Sequence, residues 1–167
     1  MRAYFFGNMY LSSIQQGLQS AHVVGDMAAK YRPNQFGSTD QSKIFYDWAE
    51  HHKTIILLDA GYGEAIHDLH EFFKLGENDL YPYAMFNESD AALDGAATCV
   101  GIVLTDRMVE GLVAWRKVRN RPKSPRTALD RLVQEADGIL VIDKIETQYT
   151  KWEIELMSRI SKFGLAR

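Results

Sequence analysis

The residues best suited to chemistry fall into three groups. The first surrounds an expected helix start: Asn8, Tyr10, Ser12, Ser13, Gln15, Gln16 and Gln19. Free N–H groups at Ser12 to Gln15, the serine hydroxyls and the positive end of a helix suit a phosphate or carboxylate. Tyr10 and the glutamines add neutral donors or a stacking face. A well-capped helix with solvated glutamines uses the same residues, so the pattern alone leaves both readings open. The second group is a polar loop, Asn87, Glu88, Ser89, Asp90 and Asp94, with Thr98 just beyond it. Glu88 and Asp90 can serve as a general base or bind ribose hydroxyls; a solvated acidic turn is the alternative. His22 is either a base or a packed, hydrogen-bonded helix residue. In an enzyme, His22, Glu88 and Asp90 are the catalytic candidates. The third group is the basic stretch with Arg116, Lys117, Arg119 and Arg121, broken by Pro122. It can neutralise phosphates or lie as solvated surface. Its lack of interleaved aromatics favours backbone contact over base stacking.

Metal and thiol chemistry find little support. His67 and His70 stand beside Glu71, but not in the H-E-x-x-H arrangement and without an obvious third ligand. Cys99 is the single cysteine, so no internal disulfide forms. Its apolar setting, Thr98 to Val103, reads as a packed core thiol. No metal or cofactor is expected.

These residues need elements to hold them. Ala3-Tyr4-Phe5-Phe6 reads as a buried strand. Ser12 and Ser13 precede Gln15 and Gln16 at capping-box spacing and open a helix to about Lys30. Its apolar stripe is Ile14, Leu18, Ala21, Val24, Ala28 and Tyr31, and Gly17, Ala21 and Gly25 beside it suggest close packing on a sheet. Ser38-Thr39-Asp40 caps a second helix, with Ile44, Phe45 and Trp48 inward. Thr54 to Leu58 is a continuous apolar run, expected as a central strand covered on both faces. A helix from Glu64 to Lys74 follows, then strands Tyr81–Phe86 and Thr98–Leu104 joined by the polar loop. Thr105-Asp106 caps a helix with Met108, Val109, Leu112 and Val113. The basic stretch reads as a loop. A helix Thr127–Ala136, a short apolar run Gly138–Ile142 and a last helix with Ile145, Tyr149, Trp152, Leu156 and Ile160 complete the chain. The alternation predicts an α/β fold: a layered mixed sheet flanked by helices. It forms one domain, with a core over 1–105 and a helical extension over 106–167 packed on it.

Composition sets the remaining bounds. The 167 residues are 46% hydrophobic and 25% charged, values of an ordinary globular chain able to bury a core. A formal charge of -3 makes the molecule no general magnet for nucleic acid, so anion binding must be local. No apolar stretch reaches the roughly 20 residues of a membrane span, and the N-terminus lacks a signal-peptide pattern. The expectation is a cytoplasmic protein with no membrane partner.

The succession strand, helix with Gln19-Ser20-Ala21-His22, helix, apolar strand, helix, strand, loop, and strand with Gly95-Ala96-Ala97-Thr98-Cys99-Val100-Gly101-Ile102 resembles the type 2 peptidyl-tRNA hydrolases. The resemblance spans about residues 3 to 105, and the rest is an added helical region. Gln19 and His22 match the family's glutamine and histidine; Gly95, Thr98 and Gly101 match its last strand. The family's functional lysine falls near Gln15, its aspartate near Phe86 or Asn87, and its threonine near Asp90. The cation has thus become an amide, and the carboxylate is lost or moved to Glu88 or Asp90. The opening Phe5 to Ser13 also looks like uncharacterised bacteriophage proteins, whose place of work is the host cytoplasm.

Three functions from different classes follow. The first is a binding module that keeps the hydrolase-like scaffold and holds a nucleotide-type small ligand at the first helix; a phage protein of this kind would sequester a nucleotide immune signal. The second is an esterase or phosphodiesterase acting on such a ligand or on a tRNA end, with Ser12, Ser13 or Thr98 assisting its base. The third is a protein-interaction module using the C-terminal helices, as a homo-oligomer, with Tyr149, Trp152 and Ile160 either an interface stripe or an internal core.

Overall fold

The structure, a computed structural model, describes residues 1–34, 37–76, 80–119 and 128–166. Four strands form one sheet: β1 (Arg2–Asn8), β2 (Ile55–Gly61), β3 (Tyr83–Asn87) and β4 (Ala97–Leu104), in the order β2-β1-β4-β3. β1 runs parallel to β2, and β4 runs antiparallel to both β1 and β3. Seven α-helices stand among the described residues: α1 (Ser13–Lys30), α2 (Asp40–Asp47), α3 (Gly63–Lys74), α4 (Asp90–Leu93), α5 (Asp106–Arg119), α6 (Ala128–Gln148) and α7 (Lys151–Ile160). A π-helical turn, Trp48–His52, continues α2 and ends at Lys53, in the left-handed region at φ 53°. The protein is therefore α/β with a mixed sheet. Among the described residues no helix is long and apolar enough to cross a membrane.

The chain forms two compact units, Met1–Asp106 with Phe163–Arg167, and Arg107–Lys162. In the sheet unit, successive strand residues point to opposite faces. Ala3 and Phe5 of β1 join Val23 and Met27 of α1, Phe45 of α2 and Cys99 and Val103 of β4 in one core. Phe6 points the other way and meets Phe73 of α3 and Phe163, with ring centroids 6.2 and 5.3 Å apart. Gly101 makes room for the Phe5 ring and for α1: a Cβ there would lie 2.6 Å from Phe5 and 3.1 Å from Val23. On the open edge of β3, the Tyr31 hydroxyl donates to the Tyr83 carbonyl (2.9 Å) and accepts from the Tyr83 N–H (3.0 Å), partly closing a free edge.

Several expectations change. β2 is an edge strand, not a central one. Its apolar run is stabilised because the C-terminal segment lies along its outer side: Asp59 N–H donates to Gly164 O (3.0 Å) and Ala166 N–H to Leu57 O (3.1 Å). The inward face of α1 carries Gln16, Gln19, Ser20, Val23 and Met27. Ile14 and Leu18 of the expected stripe are 84% and 55% exposed, and a Cβ on Gly17 or Gly25 would meet nothing within 4 Å. Both stripes have helical spacing; the bonds made by Gln19 and the packing of Val23 and Met27 select between them. The polar loop contains the short helix α4.

In the helical unit, Arg116, Lys117 and Arg119 sit in the last turn of α5 instead of a loop, where cations suit the negative helix end. Arg121 lies outside the described residues. The run Gly138–Ile142 is not a separate element but the middle of α6. The expected last helix is two, because Thr150 and Glu153 form a capping box that starts α7 afresh. Of the proposed interface stripe, Ile160 is buried, and the Tyr149 hydroxyl donates to Arg107 O at 2.7 Å while its ring covers Gly111. Buried Glu153 pairs with Arg107 and accepts from Thr150 N–H at 2.9 Å.

Candidate functional site

The site begins with two irregularities at the same end of the sheet. Phe86 pairs with Cys99, yet Asn87 pairs with Ala97, which leaves Thr98 as an extra residue in β4. A bulge of this kind re-aims a side chain. It turns Thr98 toward α1, where its hydroxyl donates to Gln19 Oε1 at 3.1 Å, with Phe86 O a second acceptor at 3.5 Å. Gln19 Nε2 then donates to Glu88 Oε1 at 2.7 Å. Thr98 and Gln19 are buried, Glu88 is half-buried, and the relay fixes the orientation of the Gln19 amide. Its oxygen must face the hydroxyl and its nitrogen the carboxylate. One turn along α1, exposed His22 stacks flat on Phe86, with centroids 4.5 Å apart and planes 15° apart.

The second irregularity lies between β1 and β2, where Gly7 pairs with Asp59 and Asn8 with Gly61. Here the β1–α1 and β2–α3 loops meet: Met9 N–H donates to Gly61 O at 2.8 Å. Asn8 organises the first loop through its side chain, which accepts from Tyr10 N–H at 3.1 Å. Asp59 does the same for the second, accepting from Gly61 N–H at 2.8 Å. Tyr10 and Tyr62, 76% and 57% exposed, stand with ring centroids 5.5 Å apart across the two loops. The neighbouring Tyr62 holds the Tyr10 phenol above its ordinary pKa. Gly63 carries the second loop to β4: a Cβ there would lie 3.8 Å from Ala97 O. The tyrosine pair and the Thr98 bulge therefore lie at the same end of the sheet.

The topology makes this end of the sheet the candidate site. β1 and β2 are adjacent and parallel, but α1 and α3 leave them on opposite faces of the sheet. Ligands of open α/β sheets bind outside the carboxyl ends of strands at such a switch point.

The first turn of α1 starts beside these loops. Ser12 Oγ accepts from Gln15 N–H (3.3 Å), and Gln15 Oε1 accepts from Ser12 N–H (2.9 Å) and Ser12 Oγ (3.0 Å). The capping box engages Gln15. Among the described residues the amides of Ser13 and Ile14 remain the open donors of this turn. Gln16 lies beneath the loop. Its Nε2 donates to Leu11 O (3.2 Å) and Asn8 O (3.5 Å), and its Oε1 is buried beside Gly7 without a hydrogen-bond partner.

The structure thus brings together Gln19, Thr98, Glu88 and, through Phe86, His22. It gathers Asn8, Tyr10, Ser12, Ser13, Gln15 and Gln16 around the first loop. Asp90 opens α4 and lies over Gly95, 3.1 Å from where a Cβ would be, while Asn87 ends β3 on the surface. Arg116, Lys117 and Arg119 belong to the other unit, where Arg116 and Arg119 reach carbonyls of α7 at Ile160 and Ser158, each at 3.4 Å. Sequence reasoning missed Tyr62, Gly63 and Phe86; the glycine and tyrosine following a strand that ends in Asp59-Ala60-Gly61 were the available signal. Burial pushes the Cys99 thiol up to about 12, the value of an inert core group. Among the described residues no group of three His, Cys, Asp or Glu side chains is placed to hold a metal. Comparison with protein-family models gives no match, and comparison with curated protein sequences gives none.

Proposed function

We propose that this chain is a binding module that holds a nucleotide-type small ligand where the β1–α1 and β2–α3 loops meet, on a scaffold resembling the type 2 peptidyl-tRNA hydrolases. The observation that carries this reading is the juxtaposition of two exposed tyrosine rings with a capped helix start whose Ser13 and Ile14 amides are open. A ring face takes a base, since every base has a π-face. Helix N–H groups take a phosphate. Half-buried Glu88, held by Gln19, adds a polar group at the same end of the sheet. The described order of elements follows the succession on which the resemblance rests.

Binding is favoured over turnover by the neutral Gln15, which is spent in its own capping box where the resemblance places a lysine. An oxyanion developing here would rely on helix amides alone. The hydrolytic reading keeps one specific support: Glu88 is a half-buried carboxylate oriented by Gln19, as a general base must be. With the bacteriophage likeness of the opening residues, sequestration of a nucleotide signal is the role that fits a site built to hold.

The test is incubation of the purified protein with a panel of cyclic and linear nucleotides and with acylated tRNA. Chromatography before and after heat denaturation then follows the fate of each. The expected result is a nucleotide that leaves the free pool, returns intact on denaturation, and stabilises the fold by about 2.7 kcal/mol at 100 times Kd. Recovery of a cleaved product replaces binding by catalysis. No depletion and no stabilisation with any panel member refutes the nucleotide reading.

A further inference from the structure

α1 packs mainly on β3 and β4 and leaves part of the face of β2 bare. Ile55 opens β2 and pairs in register with Ala3, which lies in the core beneath α1. Ile55 therefore points to that same face, yet it is 47% exposed. It lines an open cavity of about 300 Å³. Ala21 and Val24 of α1 contribute to the lining, as do Trp48, Ala49 and Lys53 at the π-helical turn. The Trp48 indole N–H donates to Thr54 O at 3.1 Å, so the ring brings no unspent donor to this space.

Lys53 is the only charged residue among the six that line the cavity. Its backbone sits in the left-handed region at φ 53°, and its N–H donates to Trp48 O at 2.9 Å. Glycine or asparagine ordinarily takes such a position after a helix, and strain kept by a larger residue gathers at ligand clamps. Turns of the π type are likewise frequent at functional sites. Among the described residues the Lys53 ammonium has no carboxylate partner. Asp47, at the end of α2, is shared by His51 at 3.0 Å and His52 at 3.8 Å. Exposed Glu50 is not among the lining residues.

We propose that this cavity binds a free medium-chain carboxylate, its chain against Trp48, Ala21 and Ile55 and its head on Lys53. A cavity of about 150 Å³ holds benzene, so this one takes about a dozen carbons. The unpaired cation selects an anionic head over a neutral or cationic one. The site is separate from the loops that carry Tyr10 and Tyr62, which lie at the other end of β2.

Calorimetry of the full chain with decanoate, 1-decanol and decyltrimethylammonium, each below its micellar concentration, tests this. Decanoate binds one saturable site about two- to fivefold tighter than decanol, and decyltrimethylammonium binds most weakly. Ala21→Trp fills the cavity from an exposed position of α1 and abolishes binding. Lys53→Met keeps an apolar stem, leaves decanol binding unchanged and brings decanoate down to the same affinity. Lys53→Glu inverts the order of the two charged heads. The helical unit has an apolar cavity of its own, lined in part by Val118, Arg119 and Lys162; Val118→Trp is therefore the control and leaves binding unchanged. Circular dichroism shows that the variants keep their helices. Absence of saturable decanoate binding overturns the proposal. So does binding that survives Ala21→Trp, binding that Val118→Trp removes, or a preference for decanoate that Lys53→Met leaves in place.

Discussion

Replacing Thr98 with valine keeps the shape of the side chain and removes one hydroxyl from the relay that joins β4, α1 and the polar loop. Gln19 Oε1 then loses its donor at 3.1 Å in a buried setting. The amide cannot flip to compensate, because its nitrogen is committed to Glu88 at 2.7 Å and a flip would set oxygen against carboxylate. A stranded buried acceptor costs about 1–3 kcal/mol. For a chain of this length that corresponds to a fall in Tm of about 2–12 °C. Gln19→Met strands less: the Thr98 hydroxyl keeps Phe86 O at 3.5 Å, and half-exposed Glu88 turns to solvent. In the double variant Thr98→Val with Gln19→Met, no buried polar atom of the relay is left unmatched, so the double costs no more than Thr98→Val alone. The assay is urea unfolding in a Trp115→Phe, Trp152→Phe background, where Trp48 reports on the sheet unit. Additivity of the two substitutions within about 0.3–0.5 kcal/mol refutes the coupling, and a Thr98→Val variant as stable as its parent refutes the relay itself.

Three further outcomes are expected. Tyr62→Ala and Tyr10→Ala each weaken binding of a nucleotide that depletes with the native protein, by the about 1–3 kcal/mol of one stacking contact; Tm is nearly unchanged because both rings are exposed, and calorimetry reads the affinity. Gly101→Ala forces a methyl group to 2.6 Å from Phe5 and 3.1 Å from Val23 and destabilises by about 1–3 kcal/mol through overpacking, measured by urea unfolding. Cys99 resists alkylation in the native protein and reacts once it is unfolded. Its thiol ionises near 9.0 when unfolded and only at about 12 when folded. The stability it contributes is therefore full below pH 9 and falls as pH rises from there toward 12, by about 1.4 kcal/mol per pH unit. Cys99→Ala removes that part of the slope.

The sequence by itself determined the features whose causes lie within a few residues. The Ser12–Gln15 capping box, the start of α2 at Thr39, the buried run of Tyr4, Phe5 and Phe6 and the inert setting of Cys99 all follow from local hydrogen bonding and local apolarity. So did the polar residues that meet in the relay, Gln19, Glu88 and Thr98, although not the bonds between them. Tertiary structure decided the rest. α1 has two helically spaced stripes, and only the bonds from Gln19 to residues 69 and 79 positions away tell which one faces the sheet. The Thr98 bulge is a mismatch in pairing with β3, so no pattern along β4 alone reveals it. β2 reads as a buried strand because its apolar run carries no mark of the C-terminal segment that covers its edge. Tyr10 and Tyr62, in loops far apart in sequence, become neighbours only because β1 and β2 pair in parallel and end together. Local chemistry sets the elements; non-local pairing sets which of their faces meet.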